Sequence, residues 1–277
     1  MANYPFQRIL LATEHTEFDV GAERLAFHMA KRCGIPLHAV LPLVSTAEFI
    51  VQAPELALRD DQLAAEKAAS LRARAAEAGV EIEIKVRHGV AADREIVEEA
   101  QATGTDLIVI RRRGKPGFLQ NKLVGEMVSK VIRDAGCCVL TVPRMAQFWT
   151  RGVLASVGDT PCGPQIADLS GLIAGVCGLP LTVLSVAEQV AQRQRMAEVN
   201  ALAVQRAGAT WGSVEGWVRE GAPAEQTIIA AQESGADLIV IGRQRYHLLP
   251  FVRGNMGIMQ KIIGTMDVAT LVVPGQA

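Results

Sequence analysis

The chain repeats itself, and that repetition limits its possible folds more than any single motif. Cys33-Gly34-Ile35-Pro36-Leu37 returns as Cys177-Gly178-Leu179-Pro180-Leu181, 144 positions on. Thr105-Asp106-Leu107-Ile108-Val109-Ile110 returns as Ala236-Asp237-Leu238-Ile239-Val240-Ile241 at an offset of 131, and the same offset carries Leu140, Val142 and Pro143 to Leu271, Val273 and Pro274. Order is kept throughout, so the chain reads as one domain duplicated, with a division expected at 1–145 and 146–277. The offset falls by 13 between the two blocks. The expected place for the loss is the long helical segment, 54–78 in the first copy against 187–207 in the second.

Within each copy, short apolar runs alternate with helical periodicity. In the first, strands are expected at 9–12, 37–44, 81–87, 107–110 and 138–142, with helices at 20–32, 54–78, 91–102 and 123–134. The third strand alternates apolar and charged residues, as an edge strand with one wetted face does; the fourth is wholly apolar, as a buried parallel strand is. Strand-helix alternation predicts an α/β fold of two tandem, doubly wound, five-stranded parallel-sheet domains. Ligands on such sheets lie beyond the carboxyl ends of the strands, where strand order reverses. The segments to inspect are therefore the turn after strand one and the loop after strand four.

Composition excludes several functions. The chain is 49% hydrophobic, yet its apolar runs are strand length, too short to span a bilayer. Its first residues lack the pattern of a secretory signal. Five cysteines without paired spacing point to a reducing compartment, and hence a cytoplasmic protein; Cys137 and Cys138 enter an apolar strand as small core residues. No Cys or His spacing suggests a metal site. A net charge of −1 gives no global attraction for nucleic acid or anionic membrane. Residues 145–277 carry about half the charge of residues 1–144, from drift or because a partner subunit covers that copy. The second reading makes self-association through the second copy the expected contact.

After strand four the first copy runs Arg111-Arg112-Arg113-Gly114-Lys115-Pro116-Gly117 and on to Gly125. Glycines that admit backbone amides to an anion, a following helix start and four cations suit a polyphosphate; a solvated basic loop would look the same. This segment, with the Asp-Leu-Ile-Val-Ile strand before it and the closing Cys-Val-Leu-Thr-Val-Pro, resembles the universal stress protein family, an adenine-nucleotide α-hydrolase-like fold. The resemblance covers both halves. Its ATP-binding members carry Gly-x2-Gly-x9-Gly-Ser/Thr after strand four, an Asp ending strand one that meets adenine, and a Val late in strand two.

The match is partial in each copy. In the first, Arg111 takes the place of the first glycine, Gly114 matches the second, Gly125 falls one residue late, Glu126 stands where a hydroxyl belongs, Glu14 replaces the Asp and Pro42 the Val. Arg113 and Lys115 would supply cations. In the second, Gly242 and Val186 match, Arg245 replaces the second glycine, and Gly254-Asn255 or Gly257 stand near the third; Gly158 holds the Asp position with Asp159 beside it, and Arg243 adds a cation. Because Glu126 would set a charge against phosphate, the second copy is the better candidate.

The resemblance implies a stress-response module that binds ATP or AMP, with magnesium if ATP, and has no dedicated catalytic site. Neither loop supplies a Walker-type Gly-Lys-Ser/Thr or a water-orienting base, although slow ATP hydrolysis stays open. The competing reading is a protein-interaction module whose ligand sites have decayed. An adenylate-forming ligase or electron-transfer flavoprotein would need further residues that two bare α/β units do not leave.

Overall fold

The structure, a computed structural model, describes residues 5–45, 47–112, 124–243 and 254–275. It divides into two compact units, one built on Phe6–Pro116 and Gly125–Gln147, the other on Phe148–Ala277. In the first, β1 (Ile9–Ala12), β2 (Leu37–Val44), β3 (Ile82–Gly89), β4 (Leu107–Arg111) and β5 (Cys138–Val142) pair in parallel in the order β3-β2-β1-β4-β5. The helices are α1 (Val20–Cys33), α2 (Ala47–Gln52), α3 (Pro54–Glu77), α4 (Ala92–Ala102) and α5 (Glu126–Asp134). β1 and β4 are buried at every position, whereas β3, at the edge of this set, alternates half-buried and exposed residues along its first part, as its charge pattern requires.

The second unit repeats the order as β8-β7-β6-β9-β10, again wholly parallel. Its strands are β6 (Val153–Ser156), β7 (Leu181–Ala187), β8 (Val214–Glu220), β9 (Leu238–Gly242) and β10 (Ala269–Val273), and its helices α6 (Gly163–Cys177), α7 (Arg193–Gly208), α8 (Pro223–Ser234) and α9 (Gly254–Thr265). The glycines that ended the first helix of each repeat in sequence end it in space: Gly34 and Gly178 adopt left-handed φ values of 65° and 67°, closing α1 and α6.

Two details differ from expectation. The last helix of the first copy starts at Glu126 rather than near Leu123, which lies outside the described residues, and the first copy has a further short helix, α2. That helix accounts for much of the length difference. Ile82 of β3 corresponds to Val214 of β8, so the offset has already fallen to 132 by the third strand. The deletion takes away α2 and the first turns of α3 and leaves the packing face alone. Ala64, Ala68, Leu71 and Ala75 are buried on α3, and Met196, Asn200, Ala203 and Ala207 occupy the corresponding places on α7.

The aspartate of the repeated strand-four motif is structural. The Asp106 carboxylate accepts hydrogen bonds from the backbone N–H groups of Gln7 (2.7 Å) and Arg8 (3.1 Å), just ahead of β1. Asp237 does the same for Thr150 (2.8 Å), Arg151 (3.1 Å) and Gly152 (3.2 Å), ahead of β6. Each carboxylate thus satisfies donors with no ladder partner and locks the entry of strand one to that of strand four. Asp237→Ala is expected to cost about 2–3 kcal/mol, the scale of a charge-assisted set whose N–H donors are left unsatisfied. Urea unfolding checks it: the midpoint should fall with the m-value unchanged, and an unaltered midpoint would remove this role.

Candidate functional site

In the second copy, β6 lies between β7 and β9, and its two neighbours are reached by crossovers that run in opposite directions. A parallel sheet opens at such a point. A cavity of about 700 Å³ lies there, beyond the carboxyl ends of the strands. Gly158 and Asp159 reach it from the turn after β6, Val186 from β7, and Gly242 and Arg243 from the end of β9. Five residues singled out in the sequence therefore come together. Arg245 lies outside the described residues. Gly254 and Asn255 open α9, whose following residues Ile258, Met259 and Ile262 form one wall.

The local chemistry explains why strand four ends in glycine here. A Cβ on Gly242 would stand 2.4 Å from Cys162 Sγ and 2.8 Å from Ile166 Cδ1, so any side chain there must push those two side chains aside. One residue on, the Arg243 backbone N–H donates to Val273 O at 2.7 Å and extends the ladder to β10, and the residue is buried. At the rim, Arg195 of α7 holds Asp159 through two hydrogen bonds, Nε to Oδ2 at 2.8 Å and Nη2 to Oδ1 at 3.0 Å. The guanidinium keeps the Asp159 carboxyl below the usual carboxylate range. Sequence reading missed Cys162, Ile166, Arg195 and Met196, which also line the cavity. None belongs to a recognisable motif; Arg195 sits in a helix whose register only the fold relates to Asp159.

The first copy uses the same positions differently. Arg111 ends β4 at the ladder position Gly242 holds in β9, opposite Val142 as Gly242 is opposite Val273. Its side chain is 5% exposed and turns toward the start of α1. Nη1 donates to Asp19 Oδ2 at 3.0 Å and to Thr16 Oγ1 at 3.3 Å, and Nη2 pairs with Glu14 Oε1 at 2.9 Å. Glu14 is therefore engaged by an arginine of its own copy. At the offset of 144, Ala22 stands where Ile166 stands in the second copy.

The turn after β1 is tied down further by Glu23, which is fully buried. Its carboxylate accepts from Thr13 Oγ1 (3.0 Å), lies 2.8 Å from His15 Nδ1 and pairs with Arg74 of α3. His15 also meets Ser70 Oγ through Nε2 at 2.9 Å, and it is the only described non-glycine residue with positive φ (49°). Ser70, His15 and Glu23 have the connectivity of a nucleophile relay. Ser70, however, lies inside α3 rather than on a turn that presents it, and Arg74 already neutralises Glu23, so the network reads as a brace between helices.

Other first-copy candidates fall as follows. Gly125 precedes α5 and is half-buried; Arg113, Gly114 and Lys115 lie outside the described residues. Glu126, expected to set a charge against phosphate, is the first residue of α5. Its side chain is 84% exposed on the first turn of α5 and pairs with Lys130 at 2.9 Å, whose ammonium holds it below the usual carboxylate range.

A duplicated, doubly wound sheet with a crevice at the switch point of its second copy defines the class: a tandem α/β protein. The universal stress protein family model matches residues 5–143 and 177–274, and the chain belongs to that family. A universal stress protein of Methanocaldococcus jannaschii, MJ0531, is 31% identical over 149 residues, which are 50% of this chain and 83% of that protein. The fold of nearly the whole chain is shared with a universal stress protein structure from Archaeoglobus fulgidus (17% identity, TM-score 0.72, 97% of this chain and 96% of that one). A putative universal stress protein from Pseudomonas aeruginosa is similar in the same way (20%, TM-score 0.70, 98% and 94%).

Gly242→Ala is expected to destabilise the protein by about 1–3 kcal/mol through overpacking against Cys162. Adding Cys162→Ala should recover most of that loss. A double-mutant cycle in urea decides the point, and strict additivity would mean that the two residues do not oppose each other.

Proposed function

We propose that the second copy binds an adenine nucleotide, ATP or AMP, in the cavity above β6, β7 and β9, and that the protein works as a nucleotide-binding stress-response module without a catalytic centre of its own. The observation that carries this reading is the cavity itself. Its volume of about 700 Å³ suits a ligand of that size, and it gathers Gly158, Asp159, Val186, Gly242 and Arg243 at the switch point. Ile166, Met196, Ile258 and Ile262 offer an apolar wall for a purine. Asp159 can accept from an exocyclic amine, and Arg195 and Arg243 supply positive charge for phosphate. The universal stress protein family supports the same ligand class. Magnesium would enter with ATP, carried by its phosphates. The five cysteines are thiols, in keeping with a cytoplasmic location. Self-association through the sparsely charged second copy is part of this reading, and sedimentation velocity tests it.

Two outcomes are expected. Isothermal titration with AMP or Mg-ATP should give saturable heat, which Gly242→Val abolishes; no heat at millimolar nucleotide would leave the interaction-module reading in its place. Asp159→Asn should weaken binding about 5- to 30-fold, the equivalent of one to two kcal/mol for a charge-assisted contact. It should weaken AMP more than purine riboside monophosphate, which lacks the exocyclic amine from which a carboxylate accepts. Equal effects on both ligands would show that Asp159 does not touch that amine.

A further inference from the structure

The two copies share strand order and ladder register, yet they differ in the residue that ends strand four. In the second copy that residue is Gly242, and the space over it is bounded by Gly158, Thr160, Cys162 and Ile166. At the offset of 144 these correspond to Glu14, Thr16, Phe18 and Ala22. The guanidinium of Arg111 reaches two of these four, Glu14 and Thr16, together with Asp19, the residue before α1. It lies, buried, in the equivalent space and is matched by two carboxylates and a hydroxyl. Where the second copy has the bulk of Ile166 under a bare glycine, the first has the bulk of an arginine over an alanine.

We propose that Arg111 is a built-in occupant of the first copy's site. Among the described residues the ligand crevice then belongs to the second copy, and the residue that ends strand four decides which copy has it. The internal guanidinium is permanent at effectively infinite local concentration, and to displace it a ligand would have to leave Asp19, 1% exposed, without its countercharge. The ligand part of this inference rests on the nucleotide reading of the second copy; the occupancy part does not.

Two measurements on the full-length protein keep these parts distinct. The first needs no nucleotide. Arg111→Gly should open a cavity that free guanidinium ion can refill, so millimolar guanidinium should raise the melting temperature of the variant saturably by about 2–4 °C, the shift that one kcal/mol gives a chain of this size. Sodium at the same ionic strength should not, and wild type should show no such rise. Absence of this rescue would overturn the proposal. The second uses the Gly242→Val background, in which the second crevice is closed. Adding Arg111→Gly should create one adenosine site per chain; adenosine is the probe because Glu14 and Asp19 remain and would repel phosphate. A folded double variant that takes up no adenosine would show that removing Arg111 opens no ligand site. If Arg111→Gly does not fold alone, Arg111→Gly with Asp19→Asn removes the uncompensated carboxylate and carries both tests. Wild type without nucleotide affinity, together with guanidinium rescue of Arg111→Gly, would sink the nucleotide reading and leave the occupant in place.

Discussion

The parallel pairing of strand one with strand four is the contact from which the rest of each copy is laid out, and an aspartate carboxylate sets it. Asp106 and Asp237 each gather the backbone donors just ahead of strand one, while the carbonyls of Arg8 and Gly152 accept from the residues that open strand four. With those entries locked, Ile9 faces Leu107 and Val153 faces Leu238, and every later position follows. Because a one-residue slip would turn each buried side chain to the opposite face, the carboxylate fixes more than its own hydrogen bonds. It also fixes where the strands end, and hence which side chain stands at the mouth of the crevice.

That last position is where the copies part. Ladder geometry holds the Cα of Arg111 and of Gly242 in equivalent places, so each meets the first helix of its own copy, α1 or α6. Each solution needs its own neighbours. Glycine goes with Ile166 and Cys162, which leave no room for a Cβ, and arginine goes with Ala22, Asp19 and Glu14, which make room for a cation and neutralise it.

Much of the fold was legible beforehand because its signals are local and duplicated. The apolar runs, the helix-ending glycines Gly34 and Gly178, and the alternating charges of the third strand each report on a few adjacent residues, and the second copy repeats the message. The crevice was legible only through its glycine and the turn after strand one. Arg195 and Ile166 contribute through helix register, and a helix start that misses by three residues, as before Glu126, is enough to hide such a contact. Glu126 is a case of another kind: position in a motif does not say which way a side chain at a helix start points, and this one points to solvent beside Lys130.

The two ion pairs that mark the two sites differ in what they demand of a ligand. Asp159 and Arg195 are about half exposed, so water can replace either partner, and exposed pairs of this kind contribute about 0–1 kcal/mol. An incoming ligand that accepts from Arg195 or donates to Asp159 therefore has little to overcome. Arg111 and Asp19 are both shielded from water, and to part them would expose a charge to a low-dielectric interior at a cost of about 3–5 kcal/mol. Burial alone thus converts the same pairing of guanidinium and carboxylate from one that water can open into a fixed part of the core, and the duplicated chain has one of each.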